Sequence, residues 1–320
     1  MSKKVLLIRL DKIGDLVCTL CVDQIPEMQS HSTHWLIAKG LGFVPDHAQP
    51  PRSYTELDKS NWKLSLKSLL HLLKSQTPDI AVSFQAPWWV NFALWLARVP
   101  VRAGVRSQWH SYLFLNKGLR QKRSQAIQHE ADYNCDLLRY ALESRQQGPT
   151  PVLQLTADIK QLPSVLHEQN YIVVHAGMAG SALNWGTHNY IELIKSLRAK
   201  GKKIVLTGTP ADEQWLSPIK EAFAQDSGVI NLQSQLNASQ LLAVLAKAQA
   251  LVAPSTGVLH LAASLGTLCV GIYSPIKVQH PTRWQARGPR VLVHVPDGSQ
   301  PEHFLNLDSI RPQAIVEQIL

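Results

Sequence analysis

Short β-branched runs alternate with helix-period stretches along almost all of this 320-residue chain, and that alternation leaves few folds open. A strand followed by a helix, repeated many times, builds parallel sheets covered by helices on both faces. In the first half the runs Val5–Leu10, Trp35–Ala38, Ile80–Phe84 and Val101–Val105 read as strands. In the second half Tyr171–His175, Ile204–Thr207, Val229–Leu232, Leu251–Ala253, Cys269–Tyr273 and Val291–Val295 do the same. Tyr190–Lys200 and Ala238–Ala248 carry helical spacing between them, and Asp308–Leu320 reads as a short terminal helix. The chain is too long for one ordinary domain of roughly 100–200 residues. Near its midpoint, Arg145-Gln-Gln-Gly-Pro-Thr-Pro151 is polar and rich in breakers, as a linker should be. The expectation is an α/β chain of two doubly wound domains, 1–148 and 149–320, with a cleft between them.

Composition removes several classes. Hydrophobic residues at 45% and charged residues at 17% exclude overall disorder. Four cysteines do not make a disulfide scaffold, and the lone C-x-x-C, Cys18-Thr-Leu-Cys21, lacks a thioredoxin-like context. No apolar run approaches the ~18 residues needed to span a bilayer. Only Val5–Ile8 precede the charge at Arg9, too little for a signal peptide, so a soluble cytoplasmic protein is expected. There is no D-x-D, no H-E-x-x-H and no G-x-G-x-x-G after a strand, so no metal and no nicotinamide cofactor is expected.

Ligands of doubly wound sheets bind beyond the carboxyl ends of the strands, so the residues there carry the functional reading. After the first strand, Gly14 allows a tight turn and Asp15 opens a helix. Asp15 is either an N-cap or a carboxylate free to act as a general base, with Asp11 the competing candidate. After Tyr171–His175 come Gly177, Gly180 and Ser181, a small-residue loop whose N–H groups can approach phosphate. After Leu251–Ala253 come Ser255, Thr256 and Gly257, with His260 one turn on. Two such loops in one domain suggest a diphosphate held at helix N-termini. Asp212 or Glu213 is either a ribose contact or a helix-start acid, and Arg283 beside Trp284 can pair with phosphate.

Charge is uneven. Residues 1–150 carry 19 basic and 12 acidic side chains, residues 151–320 carry 13 and 11. From Arg98 to Arg123 there are seven basic residues and no acid. Upstream lie Trp88-Trp-Val-Asn-Phe-Ala-Leu-Trp-Leu-Ala97 and the basic amphipathic stretch 61–74. Aromatic and basic surface together suits a phosphorylated glycolipid at an anionic membrane face, while the alternative puts the tryptophans in the core. No nucleic-acid-binding motif accompanies the basic run.

Three motifs carry a resemblance. Ile8-Arg-Leu-Asp-Lys-Ile-Gly-Asp15, Gly180-Ser-Ala-Leu-Asn-Trp185 and Ser255-Thr-Gly-Val-Leu-His-Leu-Ala262 resemble the ADP-heptose:lipopolysaccharide heptosyltransferases of glycosyltransferase family 9. The resemblance implies the GT-B architecture: an acceptor domain, then a sugar-nucleotide domain, facing a central cleft. It implies inverting, metal-independent transfer of heptose from ADP-heptose to a lipopolysaccharide core, with Asp15 as base. Gly177, Gly180, Ser181, Asp212, Glu213, Ser255, Thr256, Gly257, His260 and Arg283 would hold the donor. Asp11, Lys12, Arg98, Arg102, Arg106 and Arg120 would hold the acceptor. Ser255 stands where many members carry Asp, and Leu183 stands near their phosphate-binding Lys, which marks a sub-branch. The alternatives are a related transferase using another nucleotide sugar and a non-catalytic nucleotide-sugar-binding protein.

Overall fold

The computed structural model describes residues 2–178, 183–296 and 306–320. The chain divides into two compact units, residues 1–153 apart from 124–126, and residues 154–320 with them. Each contains one six-stranded sheet. In the first, β1 (Lys4–Arg9), β2 (Ser32–Ala38), β3 (Tyr54–Leu57), β4 (Ile80–Gln85), β5 (Val101–Val105) and β6 (Lys117–Leu119) lie in the order β3-β2-β1-β4-β5-β6. In the second, β7 (Tyr171–Val174), β8 (Lys203–Leu206), β9 (Val229–Asn231), β10 (Ala250–Pro254), β11 (Leu268–Ile272) and β12 (Val291–His294) lie in the order β12-β11-β10-β7-β8-β9. Every pairing is parallel.

The central strands are covered on both faces, which is why they read as unbroken apolar runs. Val5–Ile8 and Tyr171–Val174 are buried throughout. β3 and β6 escaped the sequence reading for a physical reason. Each pairs on one side only, is partly exposed, and can be as short and polar as Tyr-Thr-Glu-Leu or Lys-Gly-Leu. The helices expected at Tyr190–Lys200 and Ala238–Ala248 are Thr187–Ala199 and Ala238–Lys247, and the tail forms Pro312–Ile319.

The strand order reverses once in each sheet, between β1 and β4 and between β7 and β10. At such a switch point the flanking helices depart to opposite faces and leave a crevice beyond the strand ends. What lies there is Leu10–Asp15 and Ala86–Trp88 in the first unit. In the second it is His175–Met178 and Ser255–His260.

Candidate active site

In the first unit the switch point is built around a buried arginine. β1 shifts register against β4 between Ile8 and Arg9, an irregularity that turns the last side chain of the strand. Arg9 is 3% exposed and reaches three carboxylates. Its Nη2 donates to Asp15 Oδ1 at 2.6 Å and its Nη1 to Glu130 Oε1 at 3.2 Å. Its Nε lies 3.0 Å from Asp11 Oδ2 as an ion pair without hydrogen-bond alignment. Burial works against the Arg9 charge, but Asp15, Glu130 and Asp11 outweigh it and hold the guanidinium above its ordinary pKa. Burial pushes the Asp11 carboxyl up, against the pull of Arg9.

Asp15 lies in the first turn of the helix Ile13–Leu20, whose N-cap is Lys12, and no side chain caps that end. The N-cap alternative therefore does not describe Asp15. Its carboxylate turns to Arg9 and keeps about a quarter of its surface open. Glu130, buried in the helix Glu130–Leu142, also accepts from Arg123 Nη1 at 2.5 Å. Sequence reasoning missed Arg9 and Glu130 because their 121-residue separation hides the pairing.

In the second unit Thr256 is the N-cap of the helix Gly257–Ser264. Its Oγ1 is buried and has no hydrogen-bond partner among the described residues, so a polar group waits at the N-terminal end of a helix, where backbone N–H groups point outward. Ser255 is partly exposed, and His260 is buried in the first turn of the same helix. Gly177 follows β7, where a Cβ would lie 2.1 Å from Asp212 Cγ. Gly180 and Ser181 lie outside the described residues.

Asp212 stands as a helix-start acid, the second of its two expected roles. It is 2% exposed and closes a capping box, accepting from Thr209 N at 2.8 Å and Thr209 Oγ1 at 2.7 Å. Glu213 is exposed but engaged by Lys220 Nζ at 2.6 Å and Gln233 Nε2 at 2.9 Å. The Arg283 guanidinium lies over the Trp284 ring at 4.7 Å.

His175, at the end of β7, is buried with Nδ1 3.0 Å from Thr207 Oγ1. Burial lowers its pKa to about 4, against the pull of Asp212. Between the unfolded value of about 6.5 and that level, the unfolded chain binds a proton that the folded one refuses. Stability held above pH 6.5 is therefore lost as pH falls through this window, by up to about 3 kcal/mol. Urea midpoints from pH 7 to pH 4 check this: the wild type should lose more than His175→Asn, and parallel curves would refute it.

The basic run does not form one free patch. Arg102 spends its guanidinium on carbonyls, Nε to Phe114 at 2.8 Å and Nη1 to Val99 at 2.6 Å, and burial lowers its pKa. Lys117 pairs with Glu143 at 2.6 Å, and Arg123 pairs with Glu130. Arg106 and Arg120 lie over the Tyr112 ring at 5.5 and 5.9 Å. Arg98, Lys12 and Lys122 are exposed.

The aromatic stretch divides between core and surface. Trp89 enters the core. Trp62, Trp88, Phe92, Trp95, Trp109 and Phe114 form a chain of ring contacts at 5.5 to 6.5 Å. Its four tryptophans are exposed, Trp109 at 61%, with neighbouring Leu113 at 65%, while Phe92 and Phe114 are half-buried. Among the described residues no helix is long and apolar enough to cross a membrane.

Residues 66–302 match the family described as glycosyltransferase family 9 (heptosyltransferase). The lipopolysaccharide heptosyltransferase 2 of Escherichia coli strain K12 is 25% identical over 271 residues, covering 79% of this chain and 78% of that protein. The crystal structure of the glycosyl transferase family 9 from Veillonella parvula shares the fold with a TM-score of 0.82 at 16% identity, covering 98% of this chain and 95% of that one. The E. coli heptosyltransferase WaaC, solved with ADP, shares it with a TM-score of 0.75 at 20% identity, covering 99% of this chain and all of that one. With a family match over most of its length and this two-unit α/β architecture, the chain belongs to glycosyltransferase family 9, the heptosyltransferases, and is a glycosyltransferase.

Proposed function

We propose that the protein transfers heptose from ADP-heptose to a lipopolysaccharide core acceptor, with inversion and without a metal, and that Asp15 is the general base. The observation that carries this reading is the Asp15 carboxylate, fixed by Arg9 at the switch point of the first sheet yet open to solvent. A base must be aimed and reachable, and this one meets both conditions. It takes the proton from the acceptor hydroxyl as that oxygen attacks the anomeric carbon from the face opposite the departing ADP, so the configuration inverts. The bond to ADP breaks as the new glycosidic bond forms.

The second unit supports the donor half. Its described switch-point loops, 175–178 and 255–260, contain no carboxylate that would repel a diphosphate. They offer the N–H groups at the N-terminal end of a helix and the Thr256 hydroxyl, unpartnered among the described residues, the groups that stabilise charge developing on a leaving diphosphate. The ADP in the WaaC structure, and the ADP-heptose for which the E. coli heptosyltransferase II structure is named, favour an ADP-sugar over other nucleotide sugars. Thr256→Val, nearly isosteric, should weaken ADP binding by about 3- to 10-fold, one hydrogen bond's worth, as read by calorimetry. Unchanged affinity would remove Thr256 from the donor site.

The decisive experiment is mass-spectrometric detection of heptose transfer from ADP-heptose to a heptose-deficient lipopolysaccharide core in the presence of chelator. Product supports the donor, the acceptor and transfer without a metal. Binding of ADP without product would refute that acceptor, and neither binding nor product would refute the ADP-sugar donor.

The same reading places the enzyme against an anionic membrane that holds its phosphorylated glycolipid acceptor. Four exposed tryptophans, Trp62, Trp88, Trp95 and Trp109, linked through half-buried Phe92 and Phe114, suit the headgroup level of a bilayer. Arg98, Arg106, Arg120 and Lys122 complement its charge, and the helix Trp62–Gln76 carries lysines and no acid. Vesicles containing anionic lipid should co-sediment the protein in a salt-sensitive way, and Trp109→Ala should weaken that several-fold. Equal recovery with purely zwitterionic vesicles would count against an anionic surface.

A further inference from the structure

We propose that Arg9 is the positioning residue of the Asp15 base, and that Glu130, braced by Arg123, sets how firmly Arg9 holds it. The proposal rests on Asp15 acting as the base. Asp15 is tied at two points to the one helix Glu130–Leu142. Its carboxylate accepts from Arg9, Arg9 donates to Glu130, and Glu130 accepts from Arg123. Arg123 Nη2 donates to Asn134 Oδ1 at 3.0 Å, one helical turn from Glu130. Asn134 Nδ2 then donates to Thr19 Oγ1 at 3.0 Å, and the Thr19 hydroxyl donates to the Asp15 carbonyl at 2.6 Å. The path closes on the residue where it began.

A fully buried carboxylate shared by two guanidiniums is a poor way to gain stability, because desolvation offsets the attraction. It is a good way to orient a group, because each member has its direction fixed by the next. The network holds three carboxylates and two guanidiniums. Lys12 heads the Asp15 helix, and Lys59 donates to the Leu10 carbonyl beside Asp11. Glu130 draws on one side of Arg9 while Asp15 and Asp11 draw on the others. The share of the Arg9 charge felt at Asp15 therefore depends on Glu130.

Opposite changes to the brace should move the base in opposite directions. Glu130→Gln keeps the shape and removes a competing charge, so Arg9 holds the ionised Asp15 more strongly. The acid limb of kcat should move to lower pH by about half a unit, and the kcat plateau should fall about two- to threefold, because a more tightly held carboxylate is a weaker base. Arg123→Gln removes the positive brace, so the acid limb should move up. In both variants the KM for ADP-heptose and the affinity for ADP should stay within twofold of wild type. A loss of packing alone would shift neither limb in this paired way.

The assay is transfer from ADP-heptose to heptose-deficient core across pH, with ADP calorimetry, thermal unfolding and Asp15→Asn run beside it. Folded variants whose acid limbs coincide with wild type, or move together, would overturn the proposal. Should Glu130→Gln not fold, the upward shift in Arg123→Gln decides it, since Arg123 is partly exposed and easier to replace. Asp15→Asn turning over like wild type would instead overturn the base itself. An inactive Asp15→Asn with unmoved limbs in the other two would overturn only the positioning role.

Discussion

Asp15→Asn should lower kcat by about 10²- to 10⁴-fold, the range a general base contributes, while ADP binds as tightly as before. The substitution is a clean one. Asparagine can keep its side-chain oxygen on Arg9 Nη2, so the hydrogen bond survives while the charge and the proton-accepting capacity go. The site is partly open, so no cavity forms. The groups offered to the donor belong to the other unit and are untouched. Asp11→Asn is the necessary partner experiment. Asp11 stands in a bend before the helix and meets Arg9 without hydrogen-bond alignment, so it is less well aimed. Its loss should cost about tenfold or less. The reverse ranking, with Asp11→Asn inactive and Asp15→Asn near wild type, would move the base to Asp11. Turnover unchanged in both would refute carboxylate base catalysis at this turn.

The sequence was most legible where local chemistry and global fold agree. Both-face burial makes Val5–Ile8 and Tyr171–Val174 apolar without interruption, so the central strands could be read directly. Edge strands β3 and β6 could not, because half-exposed strands need no such run. The turn residues Gly14, Asp15, Thr256 and Gly257 were legible because strand-to-helix turns restrict what can stand there. The partners of Asp15 were not. Arg9 looks like the end of a strand and Glu130 like a helix-start acid, and only folding brings them together. Arg102 and Asp212 show what residue type leaves open. Each carries the right charge for a ligand, yet spends it on carbonyls or on a capping box, a choice that residue type alone does not reveal.

Trp185→Ala should destabilise the second unit by about 3–5 kcal/mol, a large share of the 5–15 kcal/mol that holds a typical protein folded. Trp185 ends the motif Ser-Ala-Leu-Asn-Trp, which sequence reasoning placed near the donor. Its ring is 1% exposed and meets Tyr190 edge-on at 4.9 Å, among Leu193, Ile194, Ile315 and Val316. Its Nε1 donates to the Ile310 carbonyl at 3.1 Å, which fastens the chain entering the helix Pro312–Ile319. Truncation therefore opens a cavity and strips a buried acceptor together. Asn184 beside it donates from Nδ2 to the Ala176 carbonyl at 2.7 Å and accepts from Trp185 N at 2.9 Å. The pair thus locks the exit of β7 to the start of the helix Thr187–Ala199. That coupling gives the prediction a second, functional arm. Trp185→Ala should lose ADP affinity along with stability, whereas Asp15→Asn keeps its ADP affinity. Trp185→Phe, which keeps most of the volume and loses the indole donor, should cost about 1–2 kcal/mol and bind ADP nearly normally. Denaturant unfolding with and without ADP separates these outcomes. A Trp185→Ala protein within about 1 kcal/mol of wild type would mean that the motif aromatic is not what fastens this corner of the unit.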